Sequence, residues 1–229
     1  MGQDAVVPDA NTPAFFGYLE EYMDRLFVDH TTRITIDEYM DISSKISEAI
    51  LANTAILPGS STTEAASYFE EELFYWLVDY LTDYLEGFLA KADEASGESL
   101  LRMYVDEWSY YAGILKVVDR AFRPLNEGWI LRAKPTRNVY PIEVTMVQMW
   151  YSRLFARIHT RLSDAVIALV DKERSGGVVD SMLIERLYTS FVNLNPEGIP
   201  DIHAPYRNNL GAYINYYEQP YIFSAIKRL

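Results

Sequence analysis

The 229-residue chain carries 20 basic and 33 acidic residues, a net charge of −13, and no cysteine. Disulfides and thiolate zinc sites are therefore excluded, and so negative a chain is a poor match for nucleic acid. The imbalance is concentrated early: residues 1–100 hold 20 acids and 4 bases, against 13 acids and 16 bases in 101–229. No apolar run reaches the roughly 20 residues that a membrane-crossing helix needs, so no membrane partner is expected.

Residues 1–12 read as a flexible arm. Asp4 and Asp9 interrupt any apolar signal core, and Val6 stands where a myristoylation motif wants Ser or Thr. From Pro13, the spacing of Phe16, Leu19, Tyr22, Met23, Leu26 and Phe27 predicts a first helix. Thr35 and Glu38 form a capping box, with Ile34 placed to staple onto Tyr39. The second helix follows, turning Tyr39, Ile42, Ile46 and Ile50 inward, and it ends before the breaker cluster Leu57-Pro58-Gly59-Ser60.

Ser61 and Glu64 make another capping box and open a third helix. Its inner face is Phe69, Leu73, Leu77, Leu81, Leu85 and Phe88 or Leu89; the run Glu70-Glu71-Glu72 reads as a solvated charge face. Ala95-Ser96-Gly97 stops it. A fourth helix turns Leu101, Tyr104, Trp108, Leu115, Val118 and Phe122 inward and reaches about Arg132, with Pro124 expected to kink or divide it.

Pro141 to Gly177 is the longest periodic stretch. Ile142, Met146, Trp150, Leu154, Ile158, Leu162, Val166 and Leu169 follow one another in steps of four or three, predicting a single α-helix without a break. At 1.5 Å per residue it would run roughly 50 Å, too long for one small core. Up to Phe155 it is apolar nearly all round, with Val144, Val147, Met149 and Tyr151 joining the stripe. Beyond, Arg153, Arg157 and Arg161 mark an outer edge. One bundle should close around the first half and a second begin on the other, with Gly176-Gly177 as the C-cap. Asp180 then caps a sixth helix, with Leu183, Leu187, Phe191 and Leu194 inward; residues 195–211 read as a loop, and Tyr213–Leu229 as the start of another helix. No stretch alternates as strands do, so the predicted fold class is all-α.

Motifs that carry chemistry are missing. The histidines are His30, His159 and His203, and none follows a glutamate at the ExxH spacing; no HExxH, DDxxD, Walker loop or GxGxxG stands in the chain. Asp106 and Glu107 point about 100° apart on a helix and cannot share a proton. Trp108, Trp129 and Trp150 fit a core better than a cofactor site. No catalytic residue, metal or cofactor is expected, and the chain does not read as an enzyme.

In order along the chain, three segments resemble those of the N-terminal region of a cullin. LRMYVDEWSYY is similar to the family's L-x-x-Y-x-x-x-W-x-x-Y/H stretch. VDKERSGGVVD is similar to the segment joining the first cullin repeat to the second. Tyr213-x-x-x-Tyr217-Glu218-x-Pro220-Tyr221-Ile222 is similar to Y-x-x-x-F-E-x-P-F-L. The resemblance implies a five-helix cullin repeat over residues 13–160, with 161–229 beginning a second repeat.

It also implies a ubiquitin-ligase scaffold, cytoplasmic and nuclear. In full cullins a C-terminal domain, outside this sequence, holds the RING subunit, and a ligase from these residues alone is not expected. The first repeat of a cullin grips a BTB-fold adaptor, which carries the substrate receptor. By position, the adaptor-binding residues would be Tyr39, Met40, Ser43 and Ser47 on the second helix. Arg120, Arg123, Pro124 and Glu127 would join them from the fourth. Tyr39-Met40-Asp41-Ile42 matches the Y-M-E-φ start of cullins serving the Skp-type adaptor with its F-box receptor, and of one serving elongin C. Ser43, Ser47 and Pro124 stand where relatives usually show aromatics, and the Trp129–Tyr140 connection is shorter, closer to cullins serving BTB proteins.

Overall fold

A computed structural model describes residues 13–28, 35–54, 62–137 and 139–193. The arm over 1–12, the Ile34 staple, the Ser61–Glu64 capping box, His30, His203, the side chains of Phe191 and Leu194, the 195–211 loop and the Tyr213–Leu229 segment lie outside what is described. Among the described residues every regular element is helical. None of these helices is long and apolar enough to cross a membrane.

Helix α1 (Pro13–Phe27) is followed by α2 (Ile36–Thr54), α3 (Thr62–Glu94) and α4 (Gly97–Ala121). The stripe of α1 starts one residue earlier than predicted: Phe15 is buried and Phe16 half-buried. The cap of α2 forms as the sequence requires, with Thr35 N donating to Glu38 Oε2 (2.8 Å) and Glu38 N to Thr35 Oγ1 (3.3 Å). In α3 the whole predicted stripe, Phe69 to Leu89, is buried. Gly97, at φ 57°, supplies the left-handed residue that lets the chain turn from α3 into α4.

The fourth predicted helix is divided at Pro124. Phe122 leaves the helical conformation (φ −92°, ψ 16°), and Pro124 then sits in the first turn of a short α5 (Arg123–Leu125), where its missing N–H leaves no helical bond unmade. A π-helical turn, Asn126–Ile130, and a short α6 (Leu131–Ala133) complete the segment.

The long helix is also interrupted. It runs as α7 (Ile142–Met149), a π-helical turn over Trp150–Phe155, and α8 (Ala156–Arg174). A stripe stepping by four drifts about 40° per step on an α-helix of 3.6 residues per turn. A wider π turn takes up one extra residue and winds the stripe back by roughly 100°. Every member from Ile142 to Leu169 is buried, which a uniform α-helix of this phase would not achieve against one face. The helix ends on a Schellman motif: Gly177 N donates to Lys172 O and Gly176 N to Glu173 O (both 2.9 Å), with Gly176 at φ 87°. Asp180 accepts from Met182 N (3.1 Å) at the head of α9 (Ser181–Asn193), whose Leu183 and Leu187 are buried.

The chain forms two compact units, one of residues 1–84 and 111–146, the other of 85–110 and 147–229. The first has a core of Phe27, Tyr84 and Tyr111, with the Phe27–Tyr84 ring centroids 4.7 Å apart and the Tyr111 hydroxyl donating to Met146 O at 3.0 Å. The second is centred on Trp150, which packs on Phe88, Tyr104 and Trp108 and donates its indole N–H to Tyr104 Oη at 3.3 Å. These aromatics are structural, as their types and spacing predicted.

Two expectations about charged residues are corrected. Glu70 is not on a solvated face: its side chain is 3% exposed, ion-paired with Arg132, and Glu71 pairs with Arg137. Arg161 is not an idle outer-edge residue either. In the second unit it donates to the carbonyl oxygens of Ala92 (2.8 Å) and Ala95 (2.6 Å) and to Asp93 Oδ1 (2.8 Å). It thus caps the C-terminal end of α3 and the turn that follows it.

Candidate functional site: a groove between α2 and α5

Tyr39, Met40, Ser43 and Ser47 recur on α2 at the three- and four-residue spacing that keeps side chains on one face. Ile42, Ile46 and Ala49 occupy the neighbouring, buried face, so their burial leaves this set at its outer edge. Arg120 closes α4, and the break at Phe122 redirects the chain so that α5 lies against α2. Between them runs a groove of about 680 Å³. All eight residues predicted for adaptor binding line it: Tyr39, Met40, Ser43, Ser47, Arg120, Arg123, Pro124 and Glu127.

Ser44 and Gly128 line it too, and neither was predicted. Ser44 was legible, four residues after Met40 on the same turn sequence. Gly128 carried no signal, since its place depends on the π turn.

Each wall has a distinct chemistry. Met40 is 54% exposed, a large flexible apolar side chain, with Tyr39 half-buried beside it. The serines keep the α2 wall low, and Ser47 Oγ donates to Ser43 O at 2.9 Å, so its hydroxyl proton is turned back to the helix. On the other wall Arg123 and Glu127 pair at 3.0 Å, both largely exposed.

Behind Gly128 lies the Glu70 carboxylate. It accepts the Trp129 backbone N–H and pairs with Arg132, which pull its pKa down, while burial, the larger effect, pushes it up. Glu70 therefore ties α3 to the π turn that carries part of the groove.

The groove lines up hydroxyls, a thioether, guanidinium groups and the Glu127 carboxylate, which Arg123 holds. Among the described residues, no group of His, Asp or Glu is placed to hold a metal ion. An exposed Met beside an aromatic, bordered by Arg, is the composition of a protein-docking surface.

The model of the cullin alpha solenoid domain matches residues 17–225. Cullin-1 of Caenorhabditis elegans is 29% identical over 134 residues, covering 58% of this chain and 17% of that protein. Cullin-5 of the same organism is 27% identical over 111 residues, covering 48% of this chain and 14% of its own. Cullin-3A of Arabidopsis thaliana is 27% identical over 128 residues, 55% of this chain and 17% of that protein. The matched part thus spans less than a fifth of each of these relatives. With the solenoid model matched over nearly its whole length and an all-helical fold to go with it, the chain belongs to the cullin family.

Proposed function

We propose that this chain is the adaptor-gripping part of a ubiquitin-ligase scaffold, and that it binds a BTB-fold adaptor through the groove between α2 and α5. Residues 13–160 act as the first cullin repeat and 161–229 as the start of the second. The favoured adaptor is the Skp type with its F-box receptor, because Tyr39-Met40-Asp41-Ile42 stands at the head of α2. The short connection between Trp129 and Tyr140 favours a second reading, a BTB-domain protein in the same groove; an elongin C-type adaptor shares the Y-M start.

One observation carries the proposal. Two stretches far apart in sequence, named from family position alone, meet along one groove, with Met40 exposed at its edge. The test is binding of the chain to a recombinant Skp-type adaptor bound to an F-box peptide, to elongin C and to a BTB domain. Met40→Arg should leave helicity and melting nearly unchanged while weakening the cognate complex by about 2 kcal/mol or more, the scale of a hot spot. Arg153→Glu, exposed and not among the residues that line the groove, serves as the control. Unchanged binding by Met40→Arg would move the adaptor elsewhere, and unfolding would make Met40 a core residue.

A further inference from the structure

The first unit leaves, among its described residues, one guanidinium without a carboxylate. Among its described residues Arg25, Arg123, Arg132 and Arg137 each pair with a Glu. Arg120 is exposed and makes no ion pair among the described residues, although the chain carries 33 acids. It lies on the groove, where the opposite wall offers it only uncharged side chains, Tyr39, Met40 and serines, and where Glu127 is already engaged by Arg123. Lys116, one turn earlier on α4, is exposed and likewise unpaired among the described residues. A groove mouth in a strongly acidic protein is thus locally positive.

We propose that the adaptor segment seated in this groove carries a carboxylate side chain that the Arg120 guanidinium receives. This rests on the groove reading above and adds the chemistry of the partner to it. A guanidinium fork matches a carboxylate in two parallel hydrogen bonds, and neither Lys116 nor a serine hydroxyl can offer that geometry. Because Arg120 is at the groove edge, the contact acts on encounter rate and partner choice as well as on the lifetime of the complex. The low serine wall leaves room for the partner to supply the bulk, so the acidic residue would flank an apolar side chain resting on Met40. A partner with a neutral or basic residue at that point is disfavoured, since Arg120 would then be covered without compensation.

The experiment measures affinity of the intact chain for whichever of the three adaptor probes binds, at low salt and at several-fold higher salt. Arg120→Glu should weaken binding about ten-fold or more at low salt, with the deficit shrinking as salt rises because the lost contact is partly screened. Arg120→Lys should lose part of the affinity while keeping the salt dependence, since it retains the charge and loses the fork. Far-ultraviolet circular dichroism on both variants checks that α4 is intact. If Met40→Arg abolishes binding while Arg120→Glu leaves affinity and salt dependence unchanged, the carboxylate is overturned and the groove reading survives. If both leave binding unchanged, the groove reading falls, and this inference with it. Failure of all three probes to bind has the same consequence.

Discussion

Gly128 stands where a Cβ would run into the carboxylate of Glu70, although the two residues belong to helical segments far apart in the chain. In most helices Gly→Ala gains about 0.5–1 kcal/mol by reducing chain entropy. Here the added methyl displaces a carboxylate that is buried, ion-paired with Arg132 and bonded to the Trp129 N–H. Gly128→Ala should therefore destabilise the protein by about 1–2 kcal/mol in urea unfolding, the cost of undoing such bonds. In a Glu70→Ala background the same change should become neutral or favourable. An equal loss in both backgrounds would show that something other than Glu70 excludes the methyl.

Removing the cap that Arg161 places on α3 should be felt locally first. Its Nη2 holds two main-chain carbonyls while Nη1 reaches the Asp93 carboxylate. Arg161→Ala should cost about 1–3 kcal/mol, the range for hydrogen bonds from a charged group. Amide exchange should accelerate at Glu94 to Gly97 before it does in the middle of α3. Unchanged exchange there would mean that water replaces the guanidinium at no cost.

The start of α2 should loosen in acid. The Thr35 backbone N–H, then the Arg25 side chain and the Thr35 hydroxyl, hold the Glu38 carboxylate at about 2, below its ordinary 4.5. A group whose folded value is depressed stabilises the fold above its unfolded value, and that contribution is lost as pH falls through the folded one. Fraying at Thr35–Met40 should accordingly grow between about pH 4.5 and pH 2, followed by the amide signals of the first turn. Glu38→Gln should remove most of that pH dependence, because Gln keeps a hydrogen-bonding side chain without the titration. A first turn as stable at pH 2 as at neutral pH would refute the capping role.

Most of the fold was legible because its signals are local. Steps of four on α3 and the long helix, the Thr35–Glu38 box, the Gly176–Gly177 cap and Asp180 each depend on residues within one or two turns. The groove residues were found by family position, which registers a surface that periodicity cannot see. What was missed depends on tertiary placement. Glu70 looks like its neighbours Glu71 and Glu72 until α6 brings Arg132 over it, and Arg161 looks like Arg157 until the end of α3 arrives beneath it. The π turns were missed for another reason: an i→i+5 turn changes phase without changing composition, so no residue announces it.

The division into two units has a consequence for how the chain can be cut. It passes from one unit to the other between residues 84 and 85, 110 and 111, and 146 and 147, each time inside a helix. No single scission releases either unit whole. A stop after Met146 keeps every residue of the first, but strands 85–110, the end of α3 and the start of α4, with its apolar face bereft of everything from Val147 onward. A truncation series should therefore yield insoluble intermediates and not a ladder of smaller folded proteins, because each unit borrows its secondary structure from helices that the other also owns.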